Sequence, residues 1–209
     1  MFYNVTTPPA IEPVSIADMR AHCRIDHTDE DDLLAAYVAA ARSWCEEYCR
    51  RSFITQTITL RREAFTPTPA DDSFGCVGDW RAVTRIRLPR GPIQSVTGIT
   101  YVDTAGNTQT LATTVYEMVD DPEMAFISLR TGQAWPSINC EAAPVSMVYV
   151  AGYGDMASNV PAPIRHAIKM MSGQFFEFRE PIISGTIVAQ IPMAVEALLG
   201  PYRVLGGFE

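Results

Sequence analysis

The sequence predicts an α+β fold: a small helical core of two N-terminal helices plus a C-terminal helix, interrupted by an inserted all-β module and followed by an extended C-terminal tail. Three observations predict it. Apolar residues recur at three- and four-residue steps in residues 15–52 and again in residues 160–181, the period of a helix that buries one face. Residues 53–151 instead alternate, are rich in Thr, Val and Ile, and are punctuated by Pro and Gly, the pattern of short strands. Residues 182–209 stay apolar but are broken at Gly185, Pro192, Gly200 and Pro201, so no long helix continues there.

Residues 1–14 contain Pro8, Pro9 and Pro13 and read as an extended arm leading to Ser15, the N-cap of the first helix. Ile16, Met19 and Cys23 would form that helix's buried edge. The acidic link from Asp26 to Asp32 places its last carboxylates where the second helix begins, favourably against the positive end of its dipole. Leu34, Tyr37, Val38, Ala41, Trp44, Cys45 and Tyr48 then make a long apolar stripe that ends near Arg51. In the β module, strands are predicted over residues 55–62, 83–88, 96–102, 109–111, 116–119, 125–129 and 145–150, with a loop over residues 66–80. DTAGN at 103–107 and DDPE at 120–123 are its best hairpin turns. Gly152 and Gly154, around Tyr153, permit the sharp turn that ends the last strand. Pro161 and Pro163 open the third helix, where a missing N–H costs nothing. Its buried face would carry Ile164, Ala167, Ile168, Met171, Phe175 and Phe178, and Pro181 stops it. A short helix over residues 193–199, closed by Gly200, is predicted inside the tail.

Composition narrows the function classes. With 209 residues, the chain holds one ordinary domain, or a small domain carrying a sizeable insertion, but not two enzymes. No apolar run of about 18 residues appears, and residues 1–13 lack a basic start followed by an apolar core, so neither a membrane span nor a secretory signal is expected. Five scattered cysteines, Cys23, Cys45, Cys49, Cys76 and Cys140, argue against a disulfide framework and for a reducing compartment. A net charge of −8 is a poor start for gripping phosphates, though it would suit a neutral or repulsive wall past which DNA slides. Its plain reading is solubility.

No catalytic, cofactor or metal constellation emerges. His22, His27 and His166 lack the spacing of a metal motif. Cys45 and Cys49 lie one helical turn apart but have no further ligands at matching spacing, and Cys45 falls on the apolar stripe, where free cysteine packs as a small hydrophobe. Gly152 and Gly154 do not make a phosphate loop. Asp29 to Asp32 lack the alternating ligands and glycine of a calcium loop, and the adjacent Glu46 and Glu47 diverge. Arg81, Arg85, Arg87 and Arg90 cluster near Trp80, with Arg85 and Arg87 on one strand face. A solvated strand face, or pairing with acidic residues of a neighbouring subunit, explains them as well as a phosphate contact does, so nucleic-acid binding is not expected from this cluster.

Read in order, SIADMRAHCRIDHTDEDDLLAAYVAAARSWCEEYCRRSF at 15–53, the GYG turn at 152–154, the proline-started helix ending in Phe178, Arg179 and Glu180, and IPMAVEALLGPYRVL at 191–205 resemble the head-tail connector proteins of long-tailed phages and gene transfer agents, also called adaptor or head-completion proteins. The resemblance covers nearly the whole chain and rests on the order and spacing of the motifs. It implies a non-enzymatic adaptor without cofactor, assembled in the bacterial host cytoplasm and located at the virion neck. It also implies a homo-oligomeric ring, twelve-fold to match the portal protein, whose subunits meet head-to-tail. The ring would pass DNA through its lumen without sequence-specific binding and would present a platform to a stopper or tail-completion protein. Two alternatives stay open: a stopper or tail-completion protein that binds below the adaptor, and a hydrolase using one of the cysteines.

Trp44, Gly152, Tyr153, Gly154, Pro161, Ile164, Ile168, Phe175, Arg179 and Glu180 are the core and turn signature of this reading. The candidate portal contacts are Ile187, Ile191, Leu198, Leu199, Pro201, Tyr202 and Arg203, because aliphatic anchors joined to Tyr and Arg are typical of interface hot spots and so long an apolar tail is hard to bury on its own domain. The alternative is a tail folded on its own domain; on the docking division, deleting residues 185–209 should leave a folded monomer that no longer joins heads, and loss of folding would refute it.

Overall fold

The computed structural model describes residues 2–65, 85–121, 125–139, 143–178 and 193–204. It is an α+β fold in which the chain forms two compact units. One unit comprises Pro9–Ile54 and Tyr153–Arg203 and is helical; the other comprises Met1–Pro8, Thr55–Gly152 and Val204–Glu209 and carries the sheets.

The helical unit begins with α1 (Ile16–Cys23). Ser15 caps it: its hydroxyl oxygen accepts the Asp18 N–H at 3.1 Å and donates to the Asp18 carboxylate at 2.8 Å. That bond holds the Asp18 carboxyl below its usual range, with help from Lys169 at 3.4 Å. Arg24, in the left-handed conformation, ends the helix and returns its N–H to the Arg20 carbonyl. Of the expected edge, only Met19 is fully buried. Next, α2 (Asp31–Cys49) opens on Asp31 and Asp32 and buries Leu34, Val38, Ala41, Cys45, Glu46 and Cys49. Of the stripe that the sequence predicts, Leu34, Val38, Ala41 and Cys45 are buried and Tyr37, Trp44 and Tyr48 are half-buried, while Glu46 and Cys49 are additions to it.

α3 (Ala162–Glu177) starts after Pro161, with Pro163 in its first turn, and buries Ile164, Ala167, Ile168 and Met171 against α1 and α2. Phe175 packs at the margin, 6.1 Å ring to ring from Tyr37. Phe178 differs from expectation: it follows the last helical turn and is 48% exposed. Arg179 and Glu180, also part of the signature, lie outside the described residues.

In the sheet unit, residues 2–7 correct the expectation of an extended arm. Phe2–Thr7 is a strand, β1, paired antiparallel with β2 (Gln56–Arg62) from Phe2↔Arg61 to Val5↔Ile58, with an irregularity before Thr7. The physical reason is period-two alternation that the nearby prolines obscured: Tyr3 reaches the unit's core while its neighbours do not. The further strands are β3 (Arg85–Arg87), β4 (Ile93–Val102), β5 (Thr108–Thr110), β6 (Tyr116–Val119), β7 (Phe126–Leu129) and β8 (Val145–Ala151). Two antiparallel sheets result, ordered β1-β2-β8-β4-β5 and β3-β7-β6. Ile58, Leu60, Ile99, Met147 and Tyr149 of the first sheet share one apolar cluster with Ile86 and Ile127 of the second. The 103–107 turn forms as predicted, the Asp103 carboxylate accepting the N–H groups of Ala105 and Asn107 at 2.9 Å each. The 66–80 loop and part of the 120–123 turn lie outside the described residues.

Candidate interaction surface

The C-terminal residues singled out as partner contacts do not behave as one group. α4 (Met193–Leu199) belongs to the helical unit and packs on α3 and α2. Its Val195 and Leu199 are fully buried among the core residues of α2 and α3. Leu199 is therefore removed from the candidate contacts, because its apolar surface is already taken by its own core. Leu198 and Tyr202 are half-buried against the same core, whereas Pro201 and Arg203 are exposed. Ile187 and Ile191 lie outside the described residues.

Two contacts fix the segment after α4. Arg51 donates from Nε to the Tyr202 carbonyl at 2.7 Å, an ionised donor on a backbone acceptor. The Arg203 guanidinium lies 4.9 Å above the Tyr48 ring. Tyr48 in turn stacks on Trp44, centroids 5.2 Å apart and planes 17° apart. The result is a half-exposed stack of Trp44, Tyr48 and Arg203, the residue types that dominate binding energy at protein interfaces. The sequence places Trp44 and Tyr48 together, four residues apart on one helix. It gives no sign that Arg203 joins them. Since Val195 and Leu199 contribute core, deletion of residues 185–209 should destabilise the helical unit, which sets this packing against the expectation that the truncated chain stays folded.

A buried ionic cluster holds the end of α2. Glu46 is 2% exposed, and its carboxylate accepts from Arg42 Nη1 at 2.9 Å and from the Phe53 N–H at 2.8 Å. Arg42 also donates from Nε to Glu12 at 2.7 Å. Sequence reasoning set Glu46 aside as one of two diverging carboxylates and missed this role, because the Phe53 N–H comes to it only after the chain has turned. At the far side of the unit's β-to-helix connection, Tyr153 N–H donates to the Phe53 carbonyl at 3.0 Å. Gly154 has φ +149, and a Cβ there would fall 2.7 Å from the Asn159 side chain. The Asn159 side chain is committed in turn, its oxygen accepting the Met156 N–H at 3.0 Å. Glycine is thus required at the turn for both conformation and space.

Among the described residues, those weighed for chemistry do not gather into a metal-holding group. Burial pushes the Cys45 and Cys49 thiols up to about 12, so they are neutral and inert at physiological pH. Cys76 and Cys140 lie outside the described residues. His22 and His166 meet edge to face at 6.3 Å, and burial, aided by His166 and Lys169, holds His22 below its usual value. Among the described residues no group of three or more His, Cys, Asp or Glu side chains could hold a metal ion, and no helix is long and apolar enough to cross a membrane. In the arginine cluster, Arg85 lies 4.4 Å over the Phe126 ring and Arg90 donates to the Tyr3 hydroxyl at 3.3 Å. Packing inside the sheet unit accounts for both, and Arg81 lies outside the described residues.

The helical unit, interrupted in sequence by the sheet unit, carries the Trp44, Tyr48 and Arg203 stack at its surface, and the chain's similarities to known proteins point to a structural role. Residues 13–101 match the family model of phage gp6-like head-tail connector proteins. A chain in the neck of an empty gene transfer agent (GTA) particle, computed with C6 symmetry, is 25% identical, with a TM-score of 0.76, and the similarity covers 98% of this chain and 96% of that one. A chain of the virion of a native GTA particle gives the same values. The neck of a native GTA particle computed with C12 symmetry contains the fold at 24% identity and a TM-score of 0.73. No curated protein matches. Residues 13–101 are thus similar to the head-tail connector family, and nearly the whole chain is similar to a chain of the GTA neck.

Proposed function

We propose that this protein is the adaptor of a phage or gene-transfer-agent neck: copies form a ring beneath the portal protein, let DNA pass through the lumen and offer the next surface to a stopper or tail-completion protein. The observation that carries this reading is the near end-to-end likeness to a chain of a GTA neck, sheet unit included. The C6 and C12 symmetries of those necks support a ring, and twelve copies would match both. The work done is interface burial. The net charge of −8 supports DNA passage without tight phosphate clamps. Portal contact would fall to the exposed or half-exposed C-terminal residues Leu198, Pro201, Tyr202 and Arg203, with Ile187 and Ile191 as further candidates.

Head completion in vitro tests the reading. Heads made without this protein should regain the ability to join tails when the purified chain is added, and Arg203→Ala should weaken that rescue about tenfold or more while leaving the fold intact. A protein that binds only necks already holding an adaptor would be the stopper instead.

A further inference from the structure

Among the described residues, the five-stranded sheet has two unpaired edges, β1 and β5. An edge strand presents a row of unpaired N–H and C=O groups, and proteins that remain single guard it with charge, proline, bulges or brevity. The charge guard is missing from both: β1 reads FYNVTT, with one irregularity before Thr7, and the short β5 reads TQT, with no charged residue in either. Both are exposed. Within β1, Phe2 is 57% and Val5 39% exposed, and all three residues of β5 are exposed.

The direction of the strands matters. Every pairing from β1 through β2, β8 and β4 to β5 is antiparallel, so four reversals leave β1 and β5 running the same way on opposite flanks of one sheet. Two copies placed side by side in the same orientation, as rotational symmetry requires, meet β1 against β5 in a parallel register. A β1-to-β1 pairing would instead close a two-fold dimer and stop.

We infer that the β1 edge is a subunit–subunit contact, taken by the β5 edge of the adjacent copy, so that main-chain hydrogen bonds join neighbours in the assembled ring. This rests on the adaptor reading above for the ring itself. The occupant is a second copy, because a single sheet carries both complementary edges and both lack the charges that would keep copies apart. Strand addition of this kind takes its affinity from the backbone and depends little on side-chain identity.

The test uses the full chain assembled on its cognate portal. Two double variants, Phe2→Lys with Asn4→Lys and Thr108→Lys with Thr110→Lys, place charge on one edge each. Both should retain the wild-type melting temperature within a few degrees, and each should lose the ring, so that native mass spectrometry finds fewer copies per portal. In the wild-type ring, amide exchange across residues 2–7 should slow at least tenfold relative to the free chain. Rings of unchanged copy number from either variant, or β1 amides that exchange equally fast in ring and free chain, overturn the edge contact while leaving the adaptor reading in place. A wild-type chain that forms no ring on the portal overturns both.

Discussion

Replacing Leu199 by alanine separates a docked α4 from a free tail. Leu199 is fully buried in the core formed by α2 and α3. Truncation removes three carbons, and at about 0.8 kcal/mol for each the transfer loss is about 2.4 kcal/mol. The residual cavity raises this toward the range of about 3–5 kcal/mol found for buried leucines. Because α4 is only seven residues long, it can also undock, and the free energy of undocking caps the cost. Hydrogen exchange of residues 193–199 measures it: protection should fall about 50-fold or more in Leu199→Ala, since each 1.4 kcal/mol is about a factor of ten. Met193→Ala, at a position 83% exposed, should change stability by no more than about 0.5 kcal/mol. Unprotected α4 amides in the wild-type chain, or a Leu199→Ala cost below about 0.5 kcal/mol, would refute the docking argument.

Three other outcomes follow from the same packing. Glu46→Ala should cost about 3–5 kcal/mol in urea unfolding, because it leaves Arg42 short of a buried partner and strands the Phe53 N–H; Glu46→Gln, which keeps an acceptor, should cost less. Cys45 and Cys49 should resist alkylation at pH 8 until the chain unfolds, as peptide mass mapping would show. Their folded-state values lie near 12 against 9.0 for a free thiol, so the folded state holds its protons more tightly. Their contribution to stability is therefore complete below pH 9 and declines as pH rises toward 12, a loss that alkaline denaturation should register. Gly154→Ala should lower stability by about 1–3 kcal/mol, read as a melting-temperature shift, since the added Cβ meets the Asn159 side chain in a backbone conformation that disfavours it.

The helices and most strands were legible in the sequence because each buries one face, and a buried face imposes its period on the residues. Leu34, Val38, Ala41 and Cys45 on α2, and Ile164, Ala167, Ile168 and Met171 on α3, announce themselves in this way. β1 did not, for two reasons. As an edge strand it buries little, so its alternation is faint, and Pro8 and Pro9 beside it suggested an arm. The fate of the tail was also illegible. Val195 and Leu199 look like any apolar pair in a broken segment, and only the groove left between α2 and α3 decides that they fold inward. The Arg203–Tyr48–Trp44 stack joins residues about 155 positions apart, and no local spacing encodes such a meeting. Glu46 shows the converse: a charge on an apolar stripe looks out of place until the turn brings it the Phe53 N–H.

Native mass spectrometry of the purified full chain, alone and after mixing with its cognate portal, decides whether the protein is a ring-forming adaptor. A portal complex carrying a full ring of twelve copies is expected. A chain that stays a monomer of 23.0 kDa and ignores the portal, while binding a neck already assembled, would contradict it.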